Sequence, residues 1–313
     1  MSKLKKIRIN PILDKELTVN SRSIKLSIFI AVYNVVLMLI ALSTFSVVVS
    51  QDFGRINYKQ VMGIFPTLAF IQCIVICIAI PIITASSIAG ERERQTLDVL
   101  LTTPVKPVRI VWGKIMASMA NVLMYLLCSM PIMSLAFIFG GMSWLSIIKF
   151  IILVMVAALF AGSIGVFTSS VTKKTIASII LSLIILGVFI FGTLVAFFIL
   201  YGVLEMFMST STSMNYKMFF APLINLANPA VMVGNVVVEE FTGIGIREAA
   251  KEFKGQLMPH VYFVARHWTV FAVIFHLLFA RFFIALASRA INPLKGRTPK
   301  QVRRVEPQKN QCH

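Results

Sequence analysis

Residues 61–89 read VMGIFPTLAFIQCIVICIAIPIITASSIA and contain no Asp, Glu, Lys or Arg. A helix rises 1.5 Å per residue, so about 20 apolar residues are enough to cross the roughly 30 Å of hydrocarbon in a bilayer. This stretch exceeds that length. It therefore predicts a membrane-spanning helix.

Five other apolar runs of similar length lie along the chain. The 313 residues are 58% hydrophobic and 13% charged, with a mean hydropathy of +0.87. Soluble proteins are about 45–50% apolar and about 25% charged, so the composition excludes a soluble domain and a disordered chain. Only four cysteines occur, three of them inside apolar runs, which implies no disulfide framework. The sequence thus predicts an all-α integral membrane protein whose spans lie near 26–48, 61–89, 110–139, 145–170, 176–204 and 267–288.

Basic residues greatly outnumber acidic ones, 30 against 12, giving a net charge of +18. In a soluble protein this excess would suggest nucleic-acid binding, but Lys and Arg also concentrate in the cytoplasmic loops of membrane proteins. Six spans place 21 Lys and Arg on the side of both termini and seven on the other. We therefore predict a multi-pass protein of the cytoplasmic membrane with both termini in the cytoplasm, and no nucleic-acid partner.

The segments flanking the spans are assigned from the same pattern. Residues 1–25 are basic and lack a small-residue cleavage site, so they are expected to be a retained cytoplasmic N-terminus. The tail 289–313 is basic and is expected to be attracted to membrane lipids.

The stretch 218–240 is apolar enough to be a seventh span, but crossing there would place the basic tail outside. It also contains Asn225, Asn228 and Pro229. Irregular backbone at membrane depth must be covered by protein or line a water-filled cavity, so we interpret this stretch as interfacial or re-entrant. It belongs to a predicted extracytoplasmic insertion, 205–266, with a short helix near 244–255.

Between the second and third spans, residues 90–114 read GERERQTLDVLLTTPVKPVRIVWGK. On a helix, Leu97, Leu100 and Leu101 form an apolar face and the charges from Glu91 to Arg94 form the first turn. Because Pro104 disfavours helical geometry in the preceding residue, the helix should end at 103. The pattern predicts a short amphipathic helix over 91–103. Taken alone, it fits an ordinary membrane-surface helix equally well.

This run resembles the coupling-helix segment of the ABC-2-type transporter permease family. The family pattern has a Gly-Glu start, a charged pair, Thr-Leu, Leu-Leu, Thr-Pro and a closing Gly-Lys. Gln95 stands where a Gly is common, a change expected to be harmless within a helix. Residues 10–17 are also similar to the family's amphipathic surface helix, and 226–229 (Leu-Ala-Asn-Pro) to an element of its outer insertion. The matching positions are Gly90-Glu91, Arg92 with Arg94, Thr96-Leu97, Leu100-Leu101, Thr103-Pro104 and Gly113-Lys114.

The resemblance implies the permease subunit of an ATP-binding cassette transporter that exports its substrate, paired with a second copy or a sister permease. It implies a separate ATPase subunit that binds ATP and Mg, and this chain has no Gly-x-x-x-x-Gly-Lys-Ser/Thr phosphate loop. It also implies that Leu97, Leu100 and Leu101 dock on that ATPase. Further coupling residues carried over are Glu91, Arg92, Glu93, Arg94, Thr96 and Pro104, and the predicted outer gate is Asn228 with Pro229.

No enzymatic site is predicted. The four histidines lack metal-ligand spacing, and neither Gly-x-Ser-x-Gly nor His-Glu-x-x-His occurs, so no catalytic residue, metal site or cofactor is assigned. Polar residues inside the spans either line a substrate path or bond between helices, and we expect bonding for most of them. They are Asn34, Gln72, Thr84, Asn121 and His276.

An alternative to transport is a membrane sensor or scaffold that retains the permease fold and signals through its ATPase or a kinase.

Overall fold

The computed structural model describes residues 18, 24–51, 63–96, 107–140, 144–207, 219–243, 245–252 and 258–291. All regular secondary structure in this part of the chain is helical, which confirms the predicted all-α class. The helices are α1 (Ile24–Gln51), α2 (Ile64–Glu93), α3 (Pro107–Gly140), α4 (Trp144–Val171), α5 (Thr175–Phe207), α6 (Phe219–Asn225), α7 (Pro229–Thr242), α8 (Ile246–Glu252), α9 (Pro259–Arg266) and α10 (Trp268–Ala290).

Six of these helices, α1 to α5 and α10, are long and apolar enough to cross a membrane. They coincide with the six predicted runs to within a few residues. A bent pair, α6 with α7, would make a seventh span if the two helices crossed together. The fifth span continues to Phe207.

The centre of the bundle is α4, which packs against α2, α3, α5, α7 and α10. Residues 150–161 in its middle are all apolar and so cover every face, as expected for a helix enclosed by others. The ring of Phe160 on α4 meets Phe189 of α5 at 5.1 Å and His276 of α10 at 4.9 Å between ring centroids, both in edge-to-face geometry. By contrast, α1 and α5 leave most of their apolar side chains exposed.

Two glycines let α4 approach α2 closely. A Cβ atom built on Gly165 would lie 2.0 Å from Thr84 Oγ1 and 3.0 Å from the carbonyl oxygen of Pro81. At Gly162 the nearest atom would be Ile80 Cγ2, at 3.2 Å. Membrane helices associate largely through such close packing, because lipid tails are as apolar as the side chains themselves.

The stretch predicted to be interfacial or re-entrant forms α6 and α7, whose axes are bent by 120° at a short break. The two could make up a broken span or a re-entrant loop, and they do not form one straight helix. The helix predicted near 244–255 is present as α8, Ile246–Glu252.

Several predicted features lie outside the described residues. They include the surface helix at 10–17, the tail from 292 onward, and residues 97–106 with Leu97, Leu100, Leu101 and Pro104.

We predict that Gly165→Ala lowers the free energy of unfolding by about 1–3 kcal/mol, because the added methyl group overlaps backbone and side-chain atoms of α2. Gly202→Ala in α5 is the matched control, since a Cβ there has no atom within 4 Å. Thermal unfolding in detergent micelles would compare the two. Equal midpoints for Gly165→Ala and the wild type would contradict the close contact between α2 and α4.

Candidate functional site

Polar side chains gather at both ends of the bundle. We call the end that contains residues 87–96 and 168–175 the motif end, because it includes the start of the family-like motif. The opposite end, with residues 146–149 and 219–252, is called the far end. The candidate site is built at the motif end around the last turn of α2.

The start of the predicted 91–103 helix is wrong. Residues 91–93 belong to α2, which runs without interruption to Glu93. The physical reason is that each of these three side chains finds a partner on a neighbouring helix, which extends the spanning helix instead of starting a new one. We call Glu91, Arg92 and Glu93 the α2 hub.

Glu91 bonds to α3. Lys114 Nζ donates to Glu91 Oε1 at 2.9 Å and to the carbonyl oxygen of Ser87 at 2.9 Å. The Lys114 side chain is only 4% exposed. A lysine is almost never fully buried without a partner, so the Glu91 carboxylate is what permits this charge inside the bundle.

Arg92 bonds to the end of α4. Its guanidinium donates from Nη1 to the carbonyl oxygen of Thr172 at 2.7 Å and from Nη2 to that of Ser170 at 3.2 Å. The last carbonyls of a helix lack intrahelical partners and carry partial negative charge. A cation placed there donates hydrogen bonds to these carbonyl groups and also balances their partial negative charge.

Glu93 bonds to the start of α5. Its Oε1 accepts from the backbone N–H of Thr175 at 2.9 Å, and its Oε2 accepts from Thr175 Oγ1 at 2.6 Å. The residue before α5, Lys174, makes no side-chain capping bond. A carboxylate from α2 therefore caps α5 in place of a local Ser or Asp.

Gln95 ends α2 in a left-handed conformation, with φ of 56°. Its N–H donates to the carbonyl oxygen of Arg92 at 3.1 Å, and the N–H of Thr96 donates to that of Glu91 at 2.9 Å. This pair of bonds is the Schellman arrangement, which favours glycine at the left-handed position. The expectation that Gln95 is harmless within a helix is therefore wrong, because the residue lies just past the helix end.

The remaining motif charge, Arg94, is exposed, and its guanidinium makes no hydrogen bond or ion pair in the described part of the chain. The hydroxyl of Thr96 donates to the carbonyl oxygen of Glu91 at 3.1 Å. A cavity of about 670 Å³ opens between α2, α3 and α5 beside these residues. Its wall combines the hub carboxylates and Lys114 with the hydroxyl groups of Ser86, Ser87, Ser118 and Thr175.

At the far end, Asn228 connects α7 to α5. It is fully buried, and its Oδ1 caps α7 by accepting from the N–H of Ala230 at 2.9 Å and of Val231 at 3.2 Å. Its Nδ2 donates to the carbonyl oxygen of Ile190 at 3.0 Å and to Thr193 Oγ1 at 2.8 Å. Pro229 follows as the first helical residue, where its missing N–H is of no consequence.

The partner of Asn228 is an irregular turn of α5. Residues 188–192 form a π-helical segment, in which backbone bonds skip to the fifth residue. Such a segment leaves carbonyl groups without their usual α-helical donors. The carbonyl oxygen of Ile190 receives side-chain donors instead, from Asn228 and from Thr193 Oγ1 at 3.1 Å.

Ion pairs reinforce the far end. Glu240 of α7 accepts from Ser146 Oγ and from Lys149 Nζ of α4, both at 2.7 Å. Neighbouring Glu239 pairs with Arg247 of α8. Within α8, the ammonium of Lys251 donates to Glu248 at 2.7 Å and lowers the pKa of that carboxyl.

Of the five polar residues predicted inside the spans, Gln72 is the one with a described side-chain bond to another helix, from its Nε2 to Ser129 Oγ at 2.8 Å. Asn34 donates to the carbonyl oxygen of Ile30 in its own helix, and His276 Nδ1 lies 2.7 Å from that of Ala272. Thr84 also bonds within its helix, and Asn121 is buried in α3. The expected bonding between helices is thus found at one of the five positions.

Sequence reasoning missed three partners of the site: Lys114 as the partner of Glu91, Thr175, and the carbonyl groups at the end of α4. Lys114 had a usable signal, since a lone lysine within an apolar helix needs an anion nearby. Thr175 and the α4 carbonyls had none, because they lie about 80 residues from the hub along the chain.

We predict that Gln95→Gly raises the free energy of unfolding by about 1 kcal/mol, because a left-handed φ costs a residue with a Cβ about 1–2 kcal/mol. Arg94→Gly is the control, since Arg94 has φ of −82° and gains nothing from glycine. Thermal unfolding would measure both. A loss of stability in Gln95→Gly would contradict the left-handed conformation.

We predict that Asn228→Ala lowers the free energy of unfolding by about 2 kcal/mol, because it removes the cap of α7 and the bonds to α5. Asn225→Ala is the matched control. That side chain lies in the same segment, and its Nδ2 donates only to Ala221 O of its own helix. Unfolding titrations in SDS would compare the variants, and equal losses would argue against a link to α5.

Comparison with known proteins places these features in a family. A family model described as ABC-2 family transporter protein matches residues 11–288. No curated protein matches the chain. The matched residues include the hub, the five spans from α1 to α5 and nearly all of α10. The chain therefore belongs to the ABC-2 family of transporter proteins, as a multi-pass membrane component of an ABC transporter.

Proposed function

We propose that this chain is the permease subunit of an ABC exporter, which moves a substrate across the cytoplasmic membrane by coupling to a separate ATPase subunit. The observation that carries the proposal is the family match over 11–288, together with six helices long enough to span a bilayer. ATP and Mg are bound by the partner subunit, and this chain contributes no catalytic residue.

The ATPase docks on residues 97–104, which follow α2 and which we call the docking segment. Leu97, Leu100 and Leu101 supply an apolar face at helical spacing, and Pro104 turns the chain back toward α3. Arg94 and Thr96 lie at the base of this segment. In this arrangement the motif end faces the cytoplasm, as do both termini, in agreement with the distribution of Lys and Arg.

The pathway forms between two permeases, since six spans supply half of the transmembrane helices that the family resemblance implies. The second permease is another copy of this chain or a sister subunit. Apolar side chains along α1 and α5, such as Phe198 and Met206, are exposed in the single chain. Membrane lipids and the second permease cover these surfaces. Asn228 and Pro229, at the junction of α7 with α5, belong to the outer gate.

We predict that purification of this chain from its native membrane in mild detergent recovers a subunit with a Gly-x-x-x-x-Gly-Lys-Ser/Thr loop, identified by mass spectrometry. A single substitution Leu97→Asp, Leu100→Asp or Leu101→Asp is expected to reduce the recovered ATPase at least tenfold, because a charge on the docking face must be desolvated. Asp98→Asn, within the same segment, is the control.

Recovery of no ATPase, under conditions that keep other ABC complexes intact, would refute the permease assignment and favour a sensor or scaffold. Unchanged recovery with all three Leu→Asp variants would refute the docking face alone.

A further inference from the structure

We infer that Glu91, Arg92 and Glu93 do not contact the ATPase but link the docking segment to the transmembrane helices, each residue to a different helix. The inference rests on the proposed function and assigns a distinct role to the first three charges of the motif. They are positioning residues, which transmit movement of the segment after Thr96 to α3, α4 and α5.

The three bonds diverge because successive residues of a helix point about 100° apart. Three consecutive side chains therefore cover about 200° of the circumference of α2. Glu91 reaches Lys114 on α3, and Glu93 reaches Thr175 on α5. Arg92 reaches the end of α4 between them. The end of α2 is thus the one point in the described chain from which these three helices are held together by charged groups.

Two of the bonds are made to helix termini. The carbonyls at the end of α4 and the first N–H of α5 have no partner within their own helices. Arg92 and Glu93 supply those partners with the favourable sign of charge. A displacement of α2 must therefore either carry these helix ends along or leave their backbone groups unpaired, so the bonds resist separation of the helices.

The hub and the docking segment are close to each other along the chain. Only Arg94, Gln95 and Thr96 separate it from Leu97. The backbone bonds of Gln95 and Thr96 to Arg92 and Glu91 fix the direction in which the chain leaves α2. Movement of the docking segment is therefore transmitted to the hub through only three intervening residues.

The bonds within the chain also reduce the number of motif charges that can contact an external partner. Glu91 and Arg92 are partly buried, and all three hub side chains are engaged within the chain. Among the four motif charges from 91 to 94, Arg94 is the one whose side chain makes no bond in the described chain, and it is exposed. It is the charge that remains to meet the ATPase.

The test uses the complex of the full chain with its ATPase, reconstituted in nanodiscs. Glu93→Leu cuts the link to α5 and Glu93→Gln preserves an acceptor for the N–H of Thr175. Thr175→Val removes the hydroxyl bond of the same link and leaves the bond from the backbone N–H. Lys173→Gln removes a nearby exposed charge that has no partner in the described chain and serves as the control. Thermal midpoints close to that of the wild type show that each variant is folded.

Two quantities are measured: the ATPase retained on the permease, and the effect of ATP with orthovanadate on hydrogen exchange in peptides from residues 172–187. We expect the wild type, Glu93→Gln and Lys173→Gln to show an ATP-dependent change in exchange. Both Glu93→Leu and Thr175→Val should retain the ATPase fully. Glu93→Leu should lose that change, and Thr175→Val should reduce it, because one of the two bonds remains.

Three outcomes would overturn the inference. Release of the ATPase by Glu93→Leu would make Glu93 a docking contact. Persistence of the ATP-dependent change in both Glu93→Leu and Thr175→Val would show that the link is not used. Absence of the change in the wild type would show that ATP binding by the partner does not alter the start of α5. By contrast, full retention of the ATPase by all three Leu→Asp variants would refute the proposed docking face and not the hub.

Discussion

The polar bonds at the last turn of α2 are the constraint on which the arrangement of this bundle depends. Lipid tails are as apolar as Leu or Ile, so burial of apolar surface does not by itself choose how membrane helices pack. The position of each helix is decided by close contacts between helices and by polar bonds that lipid tails cannot form. α2 supplies both, through its approach to Gly165 of α4 in the middle of the bundle and through the hub at its end. With α2 and α4 fixed, the other helices pack around this pair.

The two ends of the bundle are held by different chemistry. At the motif end, charged groups of α2 bond to neighbouring helices. At the far end, the buried junction between α7 and α5 uses the neutral amide of Asn228. Its oxygen accepts from the first N–H groups of α7, and its nitrogen donates to a carbonyl group of the π-helical segment of α5. A carboxylate could only accept, and its charge would be costly in that enclosed position. The ion pairs of Glu239 and Glu240 lie toward the ends of their helices, where side chains are partly exposed.

The family-like motif is closed at its base by its own first and last charged residues. Glu91 follows the opening Gly90, Lys114 follows the closing Gly113, and the two side chains form an ion pair. The last turn of α2 and the beginning of α3 therefore cannot separate without leaving Lys114 buried and unpaired, which is strongly destabilising.

The sequence alone determined the class of the protein, its six long apolar helices and their approximate ends, because the length of an apolar run and its flanking charges are local properties. It also indicated that 218–240 is not a straight span, since Asn228 and Pro229 interrupt its helical pattern. It could not determine that α2 ends at Glu93, because a charged cluster is equally compatible with the last turn of one helix and the first turn of another. That choice depends on Ser170, Thr172 and Thr175, which only the tertiary structure brings to the hub. The π-helical turn of α5 was likewise decided by the tertiary structure, because the carbonyl group of Ile190 is bonded by Asn228, 38 residues away along the chain. The left-handed Gln95 follows from the end of α2 at Glu93, since the bonds of Gln95 and Thr96 to Arg92 and Glu91 close that end.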